Sequence, residues 1–397
     1  MYGNKFRPVS FLLKYHHYNA GQRRTDSIHN GNGVVLQHVK FTNMFETSLQ
    51  SVDPSVSLPY WDYTVDSERG SKSDNDMLTA DFFGSANFPR DISRGYQSDE
   101  DITLGSIRDG RWSLLKTPTV QEVSAEEGGG NPYGYLRAPW NLNPSPFVSR
   151  FPFDFGSTKD RLPTCLSHYT SLKSEELMQF FFDSEMEPHG GNHLVIGGVY
   201  GCDHFDQMIA SGHLTDQSSA DMVCLFWVSA VAKSLYRQNL LSPPPSCSDP
   251  STCSYECDLS RESEIYSTIH HYITKHLGLT DVTSSSVVGG ISKEEDQQGW
   301  VSFLCGGGGG SQVFIGDNYE SSSPKDPTFW VIHPTIERLL QAKFLAGGFQ
   351  RYIYYLGKST PPLFFCVYIE VVRSGTPILS IKGCATTPDV WMSLATH

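Results

Sequence analysis

Three separated segments of the chain each place histidine in an apolar, helix-like setting. The first segment contains His29 and His38, the second contains His189 and His193, and the third contains His333. Imidazole suits zinc, copper, iron and nickel, and facing helices can hold such ligands in a shared core. The segments lack carboxylates at ligand spacing, which argues against a di-iron carboxylate centre. The pattern therefore predicts a metal site assembled between helices.

The second segment has the geometry of a chelating pair. His189 and His193 stand four residues apart, so on a helix their β-carbons lie about 5–6 Å apart on one face. A zinc protease of the HExxH type needs glutamate directly after the first histidine as its general base. Gly190 occupies that position, so the protease interpretation is rejected.

The other two segments place their histidines on predicted helices. Residues 34–51 form an amphipathic pattern in which His38 falls on the apolar stripe with Phe41 and Phe45. In the third segment Asp326 is expected to be an N-cap, with Pro327 at the first helical position. That helix would carry His333 in its second turn.

The three segments resemble the copper-binding domain of tyrosinases, catechol oxidases and mollusc-type hemocyanins, the type-3 copper proteins. The sequence FTNMFETSLQSVDPSVSLPYWDY at 41–63 resembles the stretch after the last ligand of the first copper. HGGNHLVIGG at 189–198 is similar to the second-copper pair, and DPTFWVIHPTIERL at 326–339 to the helix with the final ligand. The resemblance implies a mainly α fold, with an antiparallel four-helix-bundle core holding a binuclear copper site and with long loop-rich insertions.

The resemblance also implies a set of metal ligands. For the first copper they are His16, His29 and His38, and for the second they are His189, His193 and His333. The earliest ligand is open between His16 and His17. The neighbouring Ala20-Gly21 favours His16, and the other ring is then expected to point to solvent.

Ligating imidazoles usually donate their other N–H group to a carboxylate or a carbonyl, which fixes the tautomer. Candidates close to the ligands in sequence are Asp26, Asn30 and Glu337, and backbone carbonyls are equally suitable. His270, His271 and His276 miss the four-residue spacing of one helix face, so they are expected on the surface. No partner pattern surrounds the remaining histidines, which are His168, His204, His213 and His397.

The activity implied by the resemblance is oxidation of small o-diphenols to o-quinones, with two copper ions as cofactor and O₂ as co-substrate. Gly190 stands where tyrosinases active on monophenols often have asparagine, so a catechol oxidase is favoured over a full tyrosinase. Hemocyanin-like oxygen binding would use the same ligands, although carriers usually repeat this unit many times. A copper-free degenerate relative is the third alternative.

Length and composition limit the other possibilities. The family segments predict one copper-binding domain over residues 1–345, with a loop-rich insertion at 66–165 and a C-terminal tail at 346–397. His16 comes so early that the N-terminus looks truncated compared with relatives. A net charge of −13 argues against a nucleic-acid partner. No apolar run reaches the roughly 18–20 residues of a membrane span, and the oligomeric state stays open.

Cysteine usage predicts an oxidising compartment. Cys247, Cys253 and Cys257 lie in a loop rich in proline and serine, without the CxxC spacing of a zinc ribbon. Disulfides, and with them a secreted or lumenal location, are therefore expected. The total of nine cysteines leaves at least one thiol unpaired within the chain.

Overall fold

The computed structural model of the chain describes residues 3–24, 26–29, 33–69, 76–85, 105–123, 129–151, 162–278, 292–349, 366–369 and 381–384. The described chain is mainly helical, as predicted. Two compact units are present, Met1–Tyr352 and Ile353–His397. The domain limits expected at residues 345 and 346, and the antiparallel arrangement of a four-helix bundle, stay predictions.

The helices are numbered in chain order. They are α1 (Val9–Ala20), α2 (His38–Gln50), α3 (Tyr63–Arg69), α4 (Cys165–Lys173), α5 (Leu177–Ser184), α6 (Gly191–Gly197), α7 (Asp206–Ala210), α8 (Gln217–Phe226), α9 (Lys233–Arg237), α10 (Glu262–His276), α11 (Lys293–Leu304) and α12 (Phe329–Leu345). Turns of π-helix precede α2, α6 and α9, at Gly33–Gln37, Glu185–Gly190 and Trp227–Ala232. Such turns are rare and occur frequently at functional sites.

The start of α12 corrects one expectation. Thr328 is the N-cap of α12, which begins at Phe329, two residues beyond the start predicted from Asp326 and Pro327. The Asp326 carboxylate accepts the Thr328 backbone N–H at 3.0 Å but is also bound by the buried Arg150 guanidinium. Satisfying that guanidinium holds Asp326 in the preceding turn. His333 nevertheless lies in the second turn of the helix.

The strands are short and pair antiparallel. β1 (Val199–Tyr200) pairs with β4 (Phe314–Ile315), and β2 (Leu241–Ser242) pairs with β3 (Glu256–Cys257). In the second unit β5 (Cys366–Ile369) pairs with β6 (Ile381–Cys384). The β1–β4 pair matters for function because it joins the end of α6 to the segment that leads into α12.

Loops predominate in the part of residues 66–165 that the structure describes, and the limits of the predicted insertion stay a prediction. Between the end of α3 and the start of α4, those residues form 3₁₀ turns and isolated β-bridges. Two fully buried arginines, Arg137 and Arg150, lie in this region. Loops with so little regular hydrogen bonding need other partners for buried polar groups. The arginines provide them, as described below.

The largest hydrophobic core surrounds α8, α10 and α11, with Trp227 and Trp300 near its centre. Three disulfides stabilise this region, and they join Cys202 to Cys224, Cys247 to Cys253, and Cys257 to Cys305. The predicted disulfides are thus confirmed, and Cys165 is an exposed free thiol. Among the described residues, no helix combines the length and apolar character that crossing a membrane requires.

Candidate metal centre

Six histidine side chains, five from helical segments and one from a loop, meet in one interior cluster. They are His16 of α1, His29 and His38 on either side of the first π-turn, His189 and His193 at the second π-turn and α6, and His333 of α12. The structure therefore brings together every residue that the sequence proposed as a ligand. The centroid of the His333 ring lies 4.8 Å from that of His189 and 5.3 Å from that of His193.

The possible ligand atoms form two overlapping triads. In one, nitrogens of His16, His29 and His38 all lie within 4.8 Å of one another, and in the other the same holds for His38, His189 and His333. His193 joins the second triad because its Nε2 lies 3.3 Å from Nε2 of His333. His38 is thus common to both triads, and its ring stacks on that of His333 with centroids 4.1 Å apart.

The tautomers of His16 and His38 follow from their hydrogen bonds. Nδ1 of His16 lies 2.7 Å from the Ser321 carbonyl, and Nδ1 of His38 lies 2.7 Å from the Val34 carbonyl. A carbonyl only accepts, so each Nδ1 carries the hydrogen and each neutral ring presents a lone pair at Nε2. The two Nε2 atoms face each other at 3.2 Å. Two facing lone pairs repel unless a positive charge lies between them.

Protonation does not relieve this repulsion at neutral pH. Burial lowers the pKa of both His16 and His38 well below the usual value, and neighbouring histidines lower it further. Neutral rings with converging lone pairs are instead the form in which imidazole binds a metal ion. The donor set therefore fits a cation of the kind that prefers nitrogen ligands.

The second half of the cluster has fewer hydrogen bonds. Nδ1 of His193 donates to the Asn318 carbonyl, and burial lowers the pKa of His193 to about 4. Both ring nitrogens of His189 and Nδ1 of His333 are buried without a hydrogen-bond partner. The Glu185 carbonyl lies near His189, outside hydrogen-bonding geometry, and its effect on the His189 pKa is outweighed by burial. An unsatisfied buried polar atom costs about 1–3 kcal/mol, so these nitrogens indicate a missing partner.

Asp26 makes the contact expected of it. Its Oδ1 lies 3.1 Å from Nδ1 of His29, and the carboxylate also binds Lys233 at 3.3 Å and Arg237 at 3.5 Å. Although burial opposes ionisation, the nearby His29 and Lys233 hold the pKa of the Asp26 carboxyl below its usual range. The His29 side chain is 23% exposed, whereas the other five histidines of the cluster are buried. The cluster therefore opens on the side of His29.

His17 is not directed toward solvent, contrary to expectation. Its ring is buried, and Nδ1 lies 2.9 Å from Ser321 Oγ and 3.1 Å from Ser322 Oγ. Adjacent helical residues point about 100° apart, so His17 faces away from the cluster formed by His16 and its neighbours. It meets protein there because residues 321 and 322 pack along α1.

Of the other two residues proposed to orient a ligand, Glu337 is described by the structure and is not found next to one. Glu337 accepts a hydrogen bond from Gln341 at 3.0 Å, and no described contact joins it to the cluster. Glu337 lies one turn beyond His333 on α12, where its side chain is half-exposed rather than directed into the cluster. Asn30 lies outside the described residues.

Gly190 has a structural reason to be glycine. It ends the π-helical turn in right-handed helical conformation, and a β-carbon there would lie 2.8 Å from the Glu185 carbonyl oxygen. Real β-carbons do not approach backbone oxygens so closely, so any side chain requires the backbone to shift. Glycine thus permits the π-turn that brings His189 and His193 into the cluster.

The remaining histidines that the structure describes lie outside the cluster, and only some are exposed. His271 is exposed, while His270 and His276 are half-buried, the last stacking on Phe226 with ring centroids 3.6 Å apart. His213 is buried and lies 3.0 Å from the Asp296 carboxylate. Half-buried positions also hold His168 and His204, and His397 lies outside the described residues.

Sequence reasoning missed the groups that act through backbone atoms. The Asn318 and Ser321 carbonyls bind two histidines of the cluster, and no side-chain motif can indicate them. Phe329 was noted only as part of a motif. Its fully buried ring lies 4.0 Å from the ring of His333 and 5.3 Å from that of His16, between the two halves.

Comparisons with known proteins agree with this site. A sequence profile of the family described as Tyrosinase, common central domain of tyrosinase, matches residues 9–229, which is more than half of the chain. The chain is also similar to a tyrosinase-like protein, tyr-3, of Caenorhabditis elegans, with 32% identity over 69 residues. That alignment covers 17% of this chain and only 10% of the relative.

Proposed function

Because the chain belongs to the tyrosinase family, a family of type-3 copper oxidases, we propose that it oxidises o-diphenols to o-quinones with O₂. In this proposal two copper ions occupy the cluster. The first is held by His16, His29 and His38, and the second by His189, His193 and His333. His38 stands between them, which is why the geometry alone groups it with both halves.

The observation that carries the proposal is the pair of converging lone pairs. Nε2 of His16 and Nε2 of His38 face each other at 3.2 Å, and neither ring can turn its Nδ1 inward without leaving a carbonyl unsatisfied. Buried nitrogens without partners on His189 and His333 support a second ion. Imidazole alone would suit several metals, and the family makes copper the choice.

When bound, the copper ions supply the electron transfer between phenol and O₂, and the protein supplies position and environment. The carbonyls of Ser321, Val34 and Asn318 hold three rings in one tautomer each. Burial keeps water from the inner ligands, while the partly exposed His29 marks the side from which a small phenol can approach. Phe329 fills the space between the halves and limits how far a substrate ring enters.

Position 190 favours a catechol oxidase over a full tyrosinase. A monophenol must lose its proton before it binds, and a positioned base typically contributes 10²–10⁴-fold to such a step. Gly190 has no side chain to hold a helper water, and the Glu185 carbonyl leaves no space for a side chain at this position. A catechol has two adjacent hydroxyls and depends less on a positioned base.

Metal analysis of matched variants tests the proposal. The unmodified protein should hold two copper ions per chain and consume O₂ with catechol. His333→Ala should lose copper and activity, because it removes a buried ligand. The control is His271→Ala, an exposed histidine outside the cluster, which should leave both unchanged. A chain that takes up no copper would be a degenerate relative, and one that binds O₂ reversibly without oxidising catechol would be a carrier.

The three disulfides support a further part of the proposal, a secreted or lumenal location. Disulfides form and persist in oxidising compartments and are rare in the cytosol. The three described bridges account for six of the nine cysteines, so chain produced in an oxidising compartment should show six fewer reactive thiols than a fully reduced chain. Thiol counting under denaturing conditions measures this, and finding all cysteines reduced would contradict the location.

A further inference from the structure

One loop touches both halves of the histidine cluster. Residues 317–328, called here the bridging loop, run from the end of β4 to the N-cap of α12. The Asn318 carbonyl accepts the Nδ1 hydrogen of His193, and three residues later the Ser321 carbonyl accepts that of His16 at 2.7 Å. A single short segment thus sets the tautomer of one ring in each half.

Buried ion pairs, some within the loop and some to residues outside it, hold the loop in place. Its three carboxylates and their cationic partners are Asp317 with Arg137 and Lys325, Glu320 with Lys325, and Asp326 with Arg150. The two arginines belong to the predicted loop-rich insertion, so that segment forms an ion pair with the bridging loop near each of its ends. Charges buried in this way hold a fixed geometry because separating them leaves an uncompensated charge.

Each carbonyl-bearing residue also has a side-chain anchor of its own. His17 Nδ1 lies 2.9 Å from Ser321 Oγ, so the adjacent residues His16 and His17 bind the same serine, one at its carbonyl and one at its hydroxyl. In the other half Asn318 Nδ2 donates to Thr328 Oγ1 at 2.7 Å. Neither His17 nor Thr328 touches the cluster in any described contact.

We infer that the bridging loop is a shared positioning element, with His17 and Thr328 as positioning residues for the His16 half and the His193 half respectively. The inference rests on the proposed copper function. Loss of an anchor lets its carbonyl move, which frees the ring that the carbonyl orients. Losing an outer-shell partner typically lowers metal affinity 10–100-fold. Because these anchors act through a carbonyl, we expect the lower end, about tenfold.

The experiment compares copper retention in four variants of the full chain. His17→Leu should weaken one ion about tenfold, and His17→Asn should restore retention, since its amide lies near the position of Nδ1. Thr328→Val should weaken the other ion. Thr274→Val is the matched control, because Thr274 is also buried and its described hydrogen bonds go to helical carbonyls of α10. Copper release to a chelator gives the affinities, and electron paramagnetic resonance reports a lone Cu(II) ion.

A second measurement does not need copper. Nitrogen-15 NMR of the metal-free chain reports which ring nitrogen carries the hydrogen. In the unmodified protein His16 and His193 should both be Nδ1–H tautomers. His17→Leu should disturb the signal of His16 alone, and Thr328→Val that of His193 alone. Thermal melting of the same samples identifies a variant that merely fails to fold.

Unchanged copper release and unchanged tautomers in folded His17→Leu and Thr328→Val would overturn the inference. So would equal loss from both halves in either variant, since that is what a purely structural loop gives. If the unmodified chain takes no copper, the proposed function fails, and the NMR comparison still decides whether the loop positions the rings. The two failures are therefore distinguishable.

Discussion

The two halves of the cluster are held in different ways. In the first half each ring has an acceptor for its Nδ1 hydrogen, namely the Ser321 carbonyl, the Asp26 carboxylate and the Val34 carbonyl. In the second half only His193 has one, while nitrogens of His189 and His333 lack partners. The first half is thus oriented by hydrogen bonds, and the second chiefly by the packing of helices.

Part of this difference follows from where the ligands lie in the chain. His29 lies in a loop, so it needs the ion-paired Asp26 to hold its ring. His189 and His193 come from a π-turn and the helix that continues it, and His333 lies inside α12 against Phe329. Helical side chains already have few orientations, so packing can replace some hydrogen bonds. The comparison teaches that the ligand in a loop is held by a charged side chain, whereas the helical ligands are held by backbone carbonyls or, for His189 and His333, by packing alone.

The largest expected effect concerns His38, which the geometry places in both triads. His38→Ala should remove copper from both halves, because the first ion loses a ligand and the ring stacked on His333 disappears. His193→Ala should remove the second ion and leave most of the first. Copper per chain, measured after dialysis at pH 7, checks both variants. Equal losses of copper in the two variants would contradict the distinction between the halves.

The next effect concerns the buried ion pairs that hold the bridging loop, which both halves share. Asp317→Asn leaves Arg137 and Lys325 with an uncompensated positive charge, so it should cost about 3–5 kcal/mol of unfolding free energy. Denaturant unfolding of the metal-free protein measures this cost. Glu264→Gln removes an exposed pair with Arg261 and should have no measurable effect. A loss confined to copper affinity, with stability unchanged, would show that these ion pairs do not stabilise the fold.

The same carboxylate predicts how stability depends on pH. Burial opposes ionisation of Asp317, but Arg137 and Lys325 lower its pKa to about 2. The folded value lies below the unfolded one of about 3.9, so the contribution is complete above pH 4 and is lost as pH falls toward 2. Asp317→Asn should therefore flatten the acid side of the stability curve. An unchanged slope between these pH values would contradict the assignment.

A smaller effect separates two carboxylates that the sequence treated alike. Asp26→Asn should lower copper affinity of the first half 10–100-fold, because it weakens the acceptor of His29 and its ties to Lys233 and Arg237. Glu337→Gln should change nothing, since Glu337 binds only Gln341 among its described hydrogen bonds. Chelator competition measures both. A comparable loss of copper affinity in Glu337→Gln would show that Glu337 acts on the cluster by some route other than its described contacts.

The sequence predicted the helical fold and the residues that gather in the cluster, because both depend on side-chain type and spacing. His333 illustrates this: it lies beyond the family match at residues 9–229, and its motif still indicated its place. The role of the bridging loop could not be predicted from the sequence, since it acts through backbone carbonyls that every residue has. His17 was misjudged for a related reason. Spacing shows which face a residue occupies but not what packs against that face.

The last and smallest effect tests whether Gly190 limits the reaction to catechols. Any β-carbon at this position meets the Glu185 carbonyl at 2.8 Å, so both Gly190→Ala and Gly190→Asn should shift the π-turn and lower stability by about 1–3 kcal/mol. The alanine variant measures that steric cost alone, so comparing the turnover of the two variants isolates the effect of the amide.

If the amide holds a helper water, monophenol turnover relative to catechol turnover should be higher in Gly190→Asn than in Gly190→Ala. The gain should stay below the 10²–10⁴-fold of a well-placed base, because the shifted turn also moves His189 and His193. Fast monophenol hydroxylation by the unmodified protein, measured without a catechol primer, would show that position 190 does not set the substrate range.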